Sequence, residues 1–250
     1  MLLLALFAAY VAAAPLDAPH AAVLGAISRD DVSAGCPPQE LRRAASSASI
    51  RALGRVGGDD VILASVQSTC ICGAQNCPYM ALRLTPEKAR VLMWTFGVTF
   101  ETVPDAPLPR IVVRAHDSAA IAVEDTFAYR GGAYALIGSA RVRWADNARK
   151  PSGVPVRFAA NASSARLHGR ISLGWYDEYV FDASKGQKLV IDGVTSPAPV
   201  TLTLYGPAGA PTAGVSAGTP ITLPQTGTYR LHVDSGSETD VPYALTLAIR

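Results

Sequence analysis

The sequence predicts a mainly β protein in two parts: a cysteine-containing α+β domain, then an antiparallel, jelly-roll-like β-sandwich. Three observations lead there. All four cysteines, Cys36, Cys70, Cys72 and Cys77, fall in the first half. The second half, from about Arg157 to Arg250, has no cysteine and consists of short apolar runs cut by Gly and Pro. Between the halves, residues 147–155 read NARKPSGVP, a polar stretch with two prolines and a glycine, which is the composition of a linker. The expected division is therefore residues 28–146 for the α+β domain, 147–155 for the linker and 156–250 for the sandwich.

The elements follow in chain order. Residues 1–14, MLLLALFAAYVAAA, form an apolar run ending in small residues. A membrane-spanning helix needs about 20 apolar residues. This run has instead the length of a signal-peptide core, with Val11-Ala12-Ala13 as small residues for cleavage, although no Lys or Arg precedes it. The chain is expected to be exported to the periplasm or the medium. No later stretch is long and apolar enough to span a membrane. The net charge is +2 with no basic block, which excludes nucleic acid as a partner, because such binding needs clustered Lys and Arg.

Export decides how the cysteines are read. An even number in an exported chain indicates disulfides, and four cysteines allow three pairings. Zinc sites usually use two groups of closely paired ligands. Here Cys70, Cys72 and Cys77 form one crowded cluster, Cys36 is distant, and no His lies near. The expectation is disulfides and no metal or cofactor, with a bridge inside the cluster and Cys36 reaching back to it.

Residues 37–45, PPQELRRAA, open like a helix with Pro in its first turn. Residues 60–66 read as a buried strand and 79–84 as its return after the cysteine turn. Thr85-Pro86-Glu87-Lys88 resembles a helix cap with Pro in first position, while Val, Trp, Thr and Phe in residues 89–96 favour a strand. Residues 110–115 are a strand. Residues 126–129 and 133–137 form a hairpin around Arg130-Gly131-Gly132. Six further strands are expected at 167–171, 178–181, 188–191, 201–205, 228–233 and 243–247, several with the alternation of a half-buried strand. Turns at 184–187, 206–209 and 224–227 punctuate them, the pattern of a sandwich or small barrel.

From Ala165 to Arg250 the chain is similar to the bacterial periplasmic inhibitors of g-type lysozyme and, more broadly, to pre-peptidase C-terminal β-sandwich domains. The blocks that carry the resemblance agree in order and spacing. They are Ser163-Ser164-Ala165 with Gly169, residues 176–181 (YDEYVF), 183–189 (ASKGQKL), 204–207 (LYGP), 223–229 (LPQTGTY) and 243–246 (YALT). The resemblance implies a non-catalytic protein whose partner is a lysozyme. It implies binding through a Ser-Gly-x-Tyr-type loop, carried here by Thr226, Gly227, Thr228 and Tyr229. The tyrosine could equally be a core residue behind a plain turn. The inhibitors have a basic loop after this strand, whereas residues 234–240, DSGSETD, are acidic. Lysozyme clefts hold carboxylates, so this loop is expected to weaken inhibition. The alternative function is an accessory module that binds envelope polysaccharide or another envelope protein, with Trp175 and Tyr176 stacking a sugar.

Other candidates are weaker. His116-Asp117-Ser118 holds the three residue types of a hydrolase, but adjacent triad members cannot converge, and a polar turn is the expected reading. Asp30-Asp31, Asp59-Asp60 and Glu124-Asp125 could hold calcium, yet no EF-hand-like loop surrounds them. Asn161-Ala162-Ser163 is a glycosylation sequon only in a glycosylating host. No residue is assigned a catalytic role.

Overall fold

The computed structural model describes residues 15–73, 75–209, 211–212 and 215–250. The signal-peptide expectation for residues 1–14 lies outside them. The chain divides into two compact units. The first comprises the described residues up to Gly97, with Pro104–Pro109 and Tyr129–Ala135; the second comprises Val98–Val103, Arg110–Ala128 and Leu136–Arg250.

The first unit begins with helix α1 (Ala18–Ile27). Asp17 caps it, accepting a hydrogen bond from the His20 amide at 3.0 Å, and a proline follows in the first turn. Asp17 followed by Pro19 is a helix-start signal that the sequence reading passed over. Helix α2 (Pro38–Ser46) forms where expected. An antiparallel sheet follows, ordered β1 (Ser49–Val56), β2 (Asp59–Ser65), β3 (Cys77–Leu84) and β4 (Ala89–Gly97). Val23 and Ile27 of α1, Leu41 and Ala45 of α2, and Ile62, Met80 and Leu82 of the sheet share one buried core.

Disulfides Cys36–Cys70 and Cys72–Cys77 bear out the expected cysteine arrangement. The first ties the segment before α2 to the β2–β3 connection. No helix follows Thr85. Its hydroxyl donates to the Lys88 carbonyl at 2.7 Å and accepts from the Lys88 amide at 3.1 Å, closing a turn. Residues 89–97 then pair along β3, where their β-branched and aromatic side chains fit the pleat.

A five-stranded sheet, mostly in the second unit, runs β5 (Thr99–Val103), β6 (Arg110–His116), β7 (Ile121–Arg130), β8 (Ala133–Arg143) and β9 (Arg149–Pro151). The expected hairpin is the β7–β8 turn, with Gly131 and Gly132 both at positive φ. Two further sheets form the sandwich. One is ordered β10 (Val154–Pro155), β12 (Tyr176–Ala183), β17 (Gly227–Asp234), β14 (Thr201–Tyr205) and β15 (Pro211–Thr212). The other is ordered β11 (Ser164–Ile171), β18 (Val241–Ile249), β13 (Lys188–Thr195) and β16 (Ile221–Thr222). All six expected strands are present. The core between the sheets, including Phe181, Leu189, Ile191, Leu204, Tyr229, Leu231 and Leu245, comes entirely from residues after 155.

The linker expectation is corrected. Residues 149–151 pair with β8, and 154–155 pair in parallel with Tyr179 and Val180 of β12. Both short strands lie at sheet edges, where a proline's missing amide is tolerated. The unit that contains the sandwich accordingly includes much of residues 98–146, which the sequence reading had placed with the cysteines.

Candidate functional site

The turn Pro224–Thr228 leads into β17. Pro224, Gln225, Thr226 and Thr228 are exposed, whereas Tyr229 is fully buried. Strand alternation explains the switch, because Tyr229, Leu231 and Val233 face the core and stack inward while their neighbours point out. The Tyr229 ring stacks on Phe181 with centroids 5.9 Å apart. Its hydroxyl donates to the Gln225 carbonyl at 2.7 Å and accepts from the Gln225 amide at 3.2 Å. The tyrosine is thus a post that shapes the loop from beneath, which corrects its assignment as a contact residue.

Two more ties hold the loop. The Thr226 hydroxyl accepts a hydrogen bond from the Lys185 amide at 2.9 Å, and the Thr228 hydroxyl donates to the Asp182 carboxylate at 2.6 Å. Gly227 has φ of +150°, and a Cβ there would come within 2.8 Å of the Pro207 ring. Only glycine fits both the backbone and the space. The loop is therefore exposed but fixed on several sides. Lys185, on the adjoining turn, and Lys188, at the start of β13, are both exposed.

The acidic segment of residues 235–240 lies at the other end of β17. Seven residue steps at roughly 3.3 Å each place it about 23 Å from Gly227, beyond a Debye length of about 8 Å at physiological salt. The Arg143 guanidinium is held charged chiefly by its hydrogen bond to Asp146, and Asp240 adds a smaller attraction there. The expected penalty from this loop does not apply at the Gly227 end.

Trp175 is buried, with Arg143 and Lys150 over its ring at 5.3 and 5.4 Å. It offers no stacking surface, which corrects its expected role. Tyr176 is half-buried and joins a column on the outer face of the β12–β17–β14 sheet. Arg141 lies 4.3 Å from the centre of the Tyr176 ring. His232 stacks on Tyr176 at 4.3 Å, and Tyr205 adjoins His232 at 4.5 Å. The Tyr176 hydroxyl donates to Asp117 at 2.6 Å, and His232 Nε2 meets Glu178 at 2.8 Å. Burial, then the Asp117 carboxylate, push the Tyr176 phenol well above its usual range. Burial works to raise the Glu178 carboxyl, but the His232 hydrogen bond and nearby cations outweigh it and hold it below its ordinary value. Asp117, Tyr176, Glu178, Tyr205 and His232 border a cleft of about 900 Å³, with Arg141 buried behind Tyr176. The sequence reading missed Glu178, Tyr205, His232, Asp117 and Arg141 as a group. Outward alternation on β12, β14 and β17 was the available signal.

Several of the remaining candidates have structural roles. Ser118 accepts from the Ala120 and Ile121 amides, so 117–121 is a turn. Asp59 pairs with Arg83, and Asp60 with Arg55. Asp30 accepts from the Val32 amide, and Glu124 pairs with both Arg114 and Arg149. Among the described residues, no cluster of three or more His, Cys, Asp or Glu could hold a metal ion, and no helix is long and apolar enough to cross a membrane.

No protein-family model matches the chain, and no curated protein matches it. Among solved structures, it is similar to PliG of Salmonella Typhimurium, a periplasmic lysozyme inhibitor of g-type lysozyme. That match has 26% identity over 40% of this chain and 100% of that one, with a TM-score of 0.35. PliG of Aeromonas hydrophila, described in the same words, has 24% identity over 40% of this chain and 96% of that one, with a TM-score of 0.36. A mutant of the Escherichia coli PliG matches with 24% identity over 40% and 98%, with a TM-score of 0.35.

Proposed function

We propose that this chain is an exported, non-catalytic binding protein, periplasmic or secreted, that inhibits a peptidoglycan-cleaving lysozyme of the g type. In this reading the Pro224–Thr228 loop enters the enzyme's cleft. The observation that carries it is the loop itself: exposed side chains on a backbone fixed by the buried Tyr229, the Lys185 amide and the Pro207 ring. A loop already held in one conformation loses little entropy on docking, so more of its contact energy appears as affinity. The sequence resemblance over residues 165–250 supplies the enzyme class. Exposed Lys185, whose amide is bonded to Thr226, suits a cleft lined by carboxylates.

The inhibitory contact in this reading is made by Thr226, Gly227 and Thr228, with Tyr229 acting from below. The hydroxyls of Thr226 and Thr228 can each exchange a partner within the protein for one in the enzyme. Gly227 lets the backbone take this conformation against the Pro207 ring and so sets the shape the loop presents. The test is to titrate purified protein into a g-type lysozyme acting on cell walls. Loss of lytic rate reaching completion near equimolar protein supports the reading. Unchanged lysis at tens of micromolar, with the protein folded, rejects it.

A further inference from the structure

We propose that the cleft on the outer face of the β12–β17–β14 sheet is a second binding site, for a neutral oligosaccharide. It is separate from the loop contact proposed above. Its volume, about 900 Å³, lies in the range of roughly 300–1,000 Å³ that accommodates small ligands.

Its lining does more than the fold requires. The core packs against the inner face of this sheet, and the outer face could be plain and solvated. Instead it carries the Tyr176–His232–Tyr205 column, Glu178 and Arg230, and Asp117 and Asp125 also line the cleft. Two polar groups are left over. Ser152 lines the cleft, and its hydroxyl is buried with no hydrogen-bond partner among the described residues. Arg141, 2% exposed, lies behind Tyr176 with its Nε and Nη1 equally without a partner.

The chemistry selects the ligand. A polyanion would meet Asp117, Asp125 and Glu178; a polycation would meet Arg230. An apolar molecule would strip water from all of them without replacing it. A peptide strand would need a free sheet edge, but β12, β17 and β14 are each paired on both sides. Neutral sugar hydroxyls both donate to carboxylates and accept from guanidinium, and two adjacent hydroxyls can satisfy one planar group at both ends. Tyr205 ends the column, so one of its faces is not covered by a ring of that column and can take the apolar face of a sugar.

The experiment is calorimetric titration of the full chain with the tetramer of N-acetylglucosamine and with a neutral glucose tetramer. A sulfated oligosaccharide and tetralysine serve as charged probes. At least one neutral tetramer is expected to bind in the micromolar-to-millimolar range. Asp125→Asn and Tyr205→Ala should each weaken it about tenfold or more, with Asp125→Asn leaving the thermal midpoint unchanged. No binding of either neutral tetramer at millimolar concentration overturns the proposal. So does tighter binding of a charged probe, or unaltered affinity in Asp125→Asn. No lysozyme is present, so failure here is distinct from failure of the inhibitor reading.

Discussion

The two units are held together by different means. In the first, two disulfides staple a small helix-and-sheet core, and the carboxylates of Asp30, Asp59 and Asp60 are engaged in a cap or in ion pairs. In the second, the sandwich has no cysteine and relies on a core packed from both sheets. Yet it carries, on one sheet face and at one turn, polar and aromatic groups that the core does not need. The contrast separates residues that build the protein from residues available to meet something else. On that ground the sandwich, rather than the cysteine unit, is where function is sought.

The largest expected effect breaks the first unit alone. Replacing Cys36 and Cys70 together with Ala should cost about 2–5 kcal/mol. Calorimetry is expected to show this as an early transition, with the sandwich transition kept. A single transition that shifts as a whole would show that the units are not independent. Next is Gly169 in β11, where a Cβ would lie 2.1 Å from Asp177 Oδ2 and 2.7 Å from the Tyr243 ring. The Tyr243 hydroxyl donates to Asp177 and meets Tyr179, and Lys150 pairs with Asp177, so these neighbours cannot yield without breaking a network. Gly169→Ala should destabilise the sandwich by about 1–3 kcal/mol, read as a lower midpoint in denaturant.

The boundary is sharpened by a fragment. Residues 156–250 supply the whole sandwich core, so we propose that they fold alone, with a cooperative thermal transition lower than in the full chain. The loss reflects missing cover on Trp175 and Tyr176. A fragment with no cooperative transition would show that β5–β9 are part of the folding unit.

Much of this was legible in the sequence, for identifiable reasons. Strands such as 228–233 alternate apolar and polar residues, and that period is set by the pleat. The disulfides followed from an even count in a chain expected to be exported. What was not legible depended on distant partners. Residues 149–155 have a linker's composition, yet their backbone groups pair with β8 and β12. Thr85-Pro86 has a cap's composition, yet its hydroxyl closes a turn on Lys88. Tyr229 and Trp175 are residue types that serve equally in a core or on a surface, and only the register of β17 and the cations around Trp175 decide. The column of Arg141, Tyr176, His232 and Tyr205 unites residues from four strands, so no local pattern announces it.

Smaller effects come from pH. Glu178 is held below its ordinary value of 4.5 in the folded state. Its contribution is therefore present above about pH 4.5 and lost as pH falls through the folded value. The sandwich midpoint should drop in that acid range, and Glu178→Gln should flatten the drop. At the alkaline end the phenols of Tyr179 and Tyr243 are raised from 10.0, chiefly by burial. Stability is complete below pH 10 and declines as pH rises beyond it, measured by the same melts. The smallest effect concerns charge. Lys185→Glu should slow association with lysozyme at low salt, with the difference fading as salt rises. Glu238→Lys with Asp240→Lys, at the far end of β17, should change it little.

The central claim is that the loop at Gly227 is the contact with lysozyme. Its most direct test is inhibition of a g-type lysozyme by the native chain and by Gly227→Val, both checked for an intact sandwich by thermal melting. The valine strains φ of +150° and displaces Pro207, so the loop loses its shape while the core remains. The account predicts inhibition by the native chain and none by the folded variant. Equal inhibition by the two would contradict it.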